Sequence, residues 1–179
     1  TNLAKIARAK GRDVKSLTIV VLDRPRHDDL VREIRATGAR IKFIMDGDVA
    51  GAVEAAREDT GIDALMGIGG TPEGIIAACA MKCLGGTIQG ILHPRDEDER
   101  KKALDSGLDL DKVLTTNDLV SGNDVFFAAT GITDGELLQG VRHKNRYLLS
   151  NSLVMRSRSR SEEHTSELQS HSDLVCRLL

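Results

Sequence analysis

The 179-residue chain has no tryptophan, one tyrosine (Tyr147) and three phenylalanines (Phe43, Phe126 and Phe127). Its core must therefore be built from Ile, Val, Leu and Ala, a set that suits parallel strands covered by helices. The scarcity of rings also disfavours a single-strand nucleic-acid reader that stacks bases on aromatic side chains. Charge of one sign is lacking too: 25 Lys+Arg against 27 Asp+Glu leave a formal charge of -2, with a pI near 6.2. That balance argues against the basic footprint of a nucleic-acid binder. No apolar run approaches the roughly 20 residues of a membrane span, and the N-terminus has no signal-peptide hydrophobic segment. Neither nucleic acid nor a membrane is expected as a partner. The three cysteines, Cys79, Cys83 and Cys176, form neither a zinc-ligand pattern nor an even disulfide framework. A cytoplasmic location is the corresponding expectation.

What is present is a repeated unit. Leu17-Thr-Ile-Val-Val-Leu22 is an apolar, β-branched run that reads as a strand buried on both faces. Asp23-Arg-Pro-Arg26 follows as a loop, then a helix over 27–37 ended by Gly38. Ile41 to Met45 is a second strand, Asp46-Gly-Asp48 a turn, and Val49 to Arg57 a helix. Ile62 to Met66 is a third strand, Gly67 to Gly74 a glycine-rich loop, and Ile75 to Leu84 an apolar helix. Strand, polar loop and helix in this order, three times, predict an α/β fold with a layered, mainly parallel sheet flanked by helices. Further on, the pattern predicts strands at 87–92, 113–114 and 125–129, and a charged helix at 95–104. It also predicts one helical turn at 136–139 and a last, antiparallel strand at 146–154. Helical spacing from Leu3 to Ala9 suggests that the chain starts inside something larger.

Ligands of such sheets sit beyond the carboxyl ends of the strands. Three successive strands here end in chemically equipped loops. Arg24 and Arg26 around the rigid Pro25 could fork onto a phosphate, though such a turn is commonly just solvated. Asp46, Gly47 and Asp48 could accept from sugar hydroxyls or hold a metal, but the same triplet serves ordinary turn and cap chemistry. Gly67-Ile-Gly-Gly-Thr-Pro-Glu-Gly74 opens a helix, and its free backbone N–H groups could approach an anion. It lacks the Lys-Ser/Thr ending of a P-loop and misses the dinucleotide fingerprint, so phosphate without a nucleotide is the natural ligand. Glu73 within it could ligate a divalent cation. His27 reads as a first-turn helix residue, and Cys79 and Cys83 as packing on an apolar helix.

The blocks Val20 to Asp28, Ile44 to Ala50, Met66 to Gly74 and Phe127-Ala-Ala-Thr-Gly-Ile-Thr133, in this order, resemble the class II fructose-1,6-bisphosphatases of bacteria. The resemblance runs from Thr1 to about Ser159. It implies the C-terminal half of the metal-dependent, lithium-sensitive sugar-phosphatase fold, with alternating α and β layers. It also implies hydrolysis of the 1-phosphate of fructose 1,6-bisphosphate, with Mg2+ or Mn2+ as cofactor and a sugar bisphosphate as the small-molecule partner. Arg24, Pro25, Arg26, Asp46, Gly47, Asp48 and Gly70 match substrate-binding positions, and Glu73 a metal ligand. The first position of the Arg-Pro-Arg segment is commonly lysine in that family, so the donor geometry differs here. The remaining ligands and the groups that activate water belong to an N-terminal half, which leaves the catalytic residues unknown. Residues 1–157 then form a substrate-binding α/β half that is inactive by itself. Dual action on sedoheptulose 1,7-bisphosphate, a non-catalytic phosphosugar-binding module and a homo-oligomeric parent all stay open. From 158 to 179 the composition turns to Ser, Arg, Glu and His. Arg160 to Ser170 and Asp173 to Leu179 resemble one reading frame of a sequencing adapter, so this tail is expected to be non-native and disordered.

Overall fold

In the computed structural model, which describes residues 1–159 and the backbone of 161–170, Thr18–Leu22 (β1) is the middle strand of a three-stranded sheet. It pairs in parallel with Arg40–Ile44 (β2) on one side and with Ala64–Leu65 (β3) on the other. The central position explains the unbroken apolar run: both faces are covered. Ile19 and Val21 pack into one cluster with Leu3 and Ala7 of the first helix, Asn2–Ala9 (α1), and with Val31 and Ile34 of the second, Asp28–Ala36 (α2). Val20 points the other way, to Asp48–Ala56 (α3), as strand alternation requires. α3 approaches the sheet so closely that a Cβ on Gly51 would lie 2.8 Å from Leu65 Cδ1 and 3.2 Å from both Ile44 Cδ1 and Val20 Cγ1.

Thr71–Leu84 (α4) lies beside α3, and the two helices bury a second cluster against an antiparallel sheet. Val53, Ala77, Ala80, Met81 and Cys83 meet Phe127 of Phe126–Thr130 (β6) and Leu153 and Met155 of Tyr147–Arg156 (β8). Between these lie Gln89–Gly90 (β4), Glu97–Asp105 (α5), Leu114–Thr115 (β5) and Thr116–Leu119 (α6), with β4 and β5 paired antiparallel. Arg142–Lys144 (β7) pairs with β8 through a two-residue turn, in which Asn145 has φ +50°. The layers thus run helices, parallel sheet, helices, antiparallel sheet.

This is an α/β fold with mixed sheets, and the expectation of a mainly parallel sheet needs correcting. Among the described residues parallel pairing is confined to β1, β2 and β3. After α4 the described residues contain no further strand–helix–strand crossover into that sheet, and a two-residue turn such as that between β7 and β8 can join only antiparallel neighbours. The helical turn expected at 136–139 is absent as well. Gly135 N–H donates forward to Leu138 O at 3.0 Å, the sense opposite to a helix, and Val141 N–H closes the loop on Ile132 O at 3.1 Å. Ser161–Ser170 (β9), expected to be disordered, is recorded as a strand paired antiparallel with β8 from Tyr147↔Ser170 to Arg156↔Ser161. A strand has two edges, and β6 and β7 share one of them. The other offers unpaired backbone groups that an extended segment of any composition can satisfy. The remainder of the adapter-like tail lies outside the described residues. Among the described residues no helix is long and apolar enough to cross a membrane.

Candidate functional site

The three loops singled out in the sequence follow β1, β2 and β3, so parallel pairing delivers them to one sheet edge. Direct contacts tie them together there. Arg24 is extended (φ -143°, ψ 141°), as a residue before proline tends to be, and Pro25 opens a single 3-10 turn over Pro25–His27. From this turn the Arg24 guanidinium reaches across the edge. Its Nη1 donates to Asp23 O at 2.7 Å and its Nη2 to Met45 O at 2.5 Å, which straps the first loop to the second. Arg26 reaches the other way, its Nε donating to Ile68 O at 2.8 Å in the glycine-rich loop. The two arginines are therefore not equivalent. Arg24 has both terminal nitrogens committed to backbone carbonyls, whereas exposed Arg26 commits only Nε among the described residues.

His27, read from sequence as an ordinary helix residue, is the buried pin of this cluster, with 1% of its surface exposed. Ile68 N–H donates to its Nε2 at 2.8 Å. With Nε2 accepting, the ring proton belongs on Nδ1, which donates to Leu22 O at 2.8 Å. One imidazole thereby joins the end of β1 to the third loop. Asp48 contacts the same loop: its Oδ2 would stand 3.1 Å from a Cβ on Gly69. Its Oδ1 accepts from Val49 N–H at 2.9 Å. Glu73, exposed in the first turn of α4, folds its carboxylate back over Gly70, where a side chain would meet it. Asp46 is exposed in the turn, and Gly47 turns the chain into α3 with φ +79°.

The helix ends carry the electrostatics. α2, α3 and α4 all start at this edge, preceded by His27, Gly47 and Gly70, and no side chain caps any of the three. The other three helices of the described residues are each capped, by Thr1, Asp96 and Thr115. First turns without a side-chain cap leave backbone N–H groups available, apart from Val49 N–H, which Asp48 takes. Asp28, Asp29, Asp48 and Glu73 in these turns answer part of the positive helix ends, yet three such ends beside Arg26 favour an anion. Asp46 and Asp48 set acceptors next to these donors, as a ligand bearing both phosphate and hydroxyls requires. A divalent cation is less well served. Among the described residues no three His, Cys, Asp or Glu side chains gather closely enough to hold a metal ion. Glu73 could supply one ligand, which does not fix such an ion.

A family described as bacterial fructose-1,6-bisphosphatase, glpX-encoded, matches residues 1–168, which takes the match past Ser159 into the segment expected to be foreign. A protein named D-fructose 1,6-bisphosphatase class 2/sedoheptulose 1,7-bisphosphatase from Synechococcus sp. (strain JA-3-3Ab) is 46% identical over 173 aligned residues, covering 89% of this chain and 50% of the relative. Proteins of the same name from Synechococcus sp. (strain JA-2-3B'a(2-13)) and Trichodesmium erythraeum (strain IMS101) are 46% and 44% identical over the same extent. The chain spans about half the length of the curated relatives it matches.

Proposed function

From the premise that the chain belongs to the bacterial fructose-1,6-bisphosphatase family, we propose that its three joined loops hold the substrate of a sugar-bisphosphate phosphatase. The whole protein would convert fructose 1,6-bisphosphate to fructose 6-phosphate and phosphate. The observation that carries this reading is the meeting of three uncapped helix starts with Arg26 at one sheet edge. Arg26 and the N–H groups at Gly70 and beyond take a phosphate, and Asp46 and Asp48 take sugar hydroxyls. Arg24 and Pro25 keep the first loop in reach of the second, and Gly47 lets the second turn into α3. Holding one phosphate positions the other, and that binding energy is useful only where the cleaving groups stand opposite.

Magnesium or manganese is the cofactor implied by this reading, with Glu73 as one ligand. The described residues do not complete such a site, so this chain accounts for holding the substrate and not for cleaving it. A second substrate, sedoheptulose 1,7-bisphosphate, is supported by the names of the relatives, which carry both activities. Calorimetric titration of the chain with fructose 1,6-bisphosphate tests the reading. Binding is expected, and Arg26→Ala should weaken it by about 10–100-fold, as the loss of one charge-assisted phosphate contact does. Binding that ignores Arg26→Ala would remove the loops from the substrate site.

A further inference from the structure

The buried ring of His27 stands within reach of both backbone groups of one residue. Its Nε2 accepts from Ile68 N–H at 2.8 Å and lies 3.2 Å from Ile68 O. The neutral ring uses the first contact and leaves the second idle, because a bare nitrogen has nothing to donate. Protonation reverses the two. With a proton on each nitrogen, Nδ1 keeps Leu22 O and Nε2 donates to Ile68 O, which has a second lone pair beside the one that Arg26 Nε takes. Ile68 N–H then faces another donor and has to turn away. Gly67 permits that rotation. A Cβ there would lie 3.1 Å from both Cε1 and Nε2 of the ring, and glycine changes its dihedrals at the least steric cost.

We propose that His27 couples anion capture at the joined loops to the uptake of one proton: an anion held there keeps the imidazole protonated, and the Ile68 N–H that this releases turns toward the ligand. The inference deepens the substrate reading above and rests on it. Its sign follows from electrostatics. A positive charge beneath the loops attracts the anion, and by reciprocity the anion strengthens the ring's hold on its proton, which comes from solvent. Burial of the imidazolium is offset by its two carbonyl acceptors. The basic side chains of the surrounding elements are Arg26, on the same carbonyl, and Arg24, strapped across to Met45 O. The acidic ones are Asp23 after β1, Asp28 and Asp29 in the first turn of α2, Asp48 at Gly69 and Glu73 at Gly70. Among the described residues none of these bonds the ring, so no carboxylate takes the anion's place.

Inorganic sulfate is the probe, because it keeps both charges across the range in which histidine titrates, about pH 5 to 8. Its affinity for this chain and for His27→Gln would be measured by NMR titration at the two ends of that range. Glutamine offers an acceptor to Ile68 N–H and cannot take up the proton. On acidification the unsubstituted chain should gain about tenfold more affinity than His27→Gln. Equal gains in the two proteins would overturn the proposal. A second reading needs no variant. At one pH inside the range, added sulfate should move the ring nitrogens of His27 from the Nδ1-protonated tautomer toward the imidazolium, with the Ile68 amide shifting in step. A ring that stays neutral at saturating sulfate would overturn it. So would loss of the helical circular-dichroism signal at the pH where the ring titrates, since the proton would then unfold the chain. Fructose 1,6-bisphosphate separates this inference from the one it rests on. Binding that Arg26→Ala weakens, with no pH dependence traceable to His27, counts against the proton coupling alone. Failure of both anions to bind at either pH removes the coupling and the substrate reading together.

Discussion

Ile68 receives two neighbouring residues of the first loop in different ways, Arg26 through its carbonyl and His27 through its N–H. The division of labour makes separable predictions. His27→Ala leaves Leu22 O and Ile68 N–H without their partner and opens a hole in a buried place, which should cost about 2–3 kcal/mol. It should also speed amide exchange across Gly67 to Gly70, read by hydrogen–deuterium exchange; unchanged exchange there would mean that the imidazole does not pin the loop. Arg26→Ala should leave the melt almost unchanged while ligand binding falls. Arg24→Ala should do something between the two. With its strap to Met45 O gone, the second loop loosens and affinity declines along with local protection.

At the level of elements, two joints hold the parallel unit together. α3 sits against β1, β2 and β3 only because position 51 has no side chain. Gly51→Val should therefore destabilise the chain by about 1–3 kcal/mol in urea unfolding, since the intruding methyls force α3 off the sheet. The second joint is Asp63, just before β3. It accepts from Lys10 Nζ at 2.9 Å, Arg12 Nη1 at 2.8 Å and Thr18 N–H at 2.8 Å. Burial pushes this carboxyl up, but the bonds from Lys10 and Thr18 and the two positive charges outweigh burial and hold it below its ordinary value of 3.8. A lowered folded pKa means stability that is present above the unfolded pKa and lost as pH falls through the folded one. Asp63→Asn should thus cost about 2–4 kcal/mol at pH 7. The gap to the unsubstituted chain should stay constant down to about pH 5 and close below about pH 4. A gap that does not depend on pH would assign the effect to packing instead of charge.

For the whole molecule, the parallel unit and the antiparallel sheet meet through α3 and α4. Lys42 of β2 adds an ion pair at 3.5 Å to Glu54 of α3 and another to Glu136 in the loop before β7. Glu54 is buried there, and burial raises its carboxyl above the ordinary value against the pull of Lys42. β9 joins this body by strand pairing with β8, and its sequence contributes one apolar residue, Leu168. Removing residues 160–179 should consequently shift the thermal midpoint by no more than about 4 °C, on the order of one kcal/mol. A collapse of the melt on truncation would show that the segment is an integral strand of the sheet. Phosphate release by the unmodified chain, with added manganese or magnesium, should stay at background, because holding a substrate does not stabilise a transition state.

By itself the sequence determined the parallel unit and the equipment of its loops. A buried β-branched run, a Pro- or Gly-marked loop and a helix recur three times, and local patterning of that kind is written into short stretches of chain. It also carried the four motif blocks of the family resemblance, but it started the third and fourth helices at Val49 and Ile75, where the structure starts them at Asp48 and Thr71. Tertiary structure alone decided the rest, because the deciding partners are distant in sequence. Whether Arg24 faces a ligand or straps a loop depends on Met45 O, 21 residues away. Whether His27 is a solvated helix residue or a buried pin depends on Ile68, 41 residues away. The last strand was legible as antiparallel at 146–154, but which strands it pairs with followed from which edges stood open, a property of the assembled sheet that no single strand's composition records.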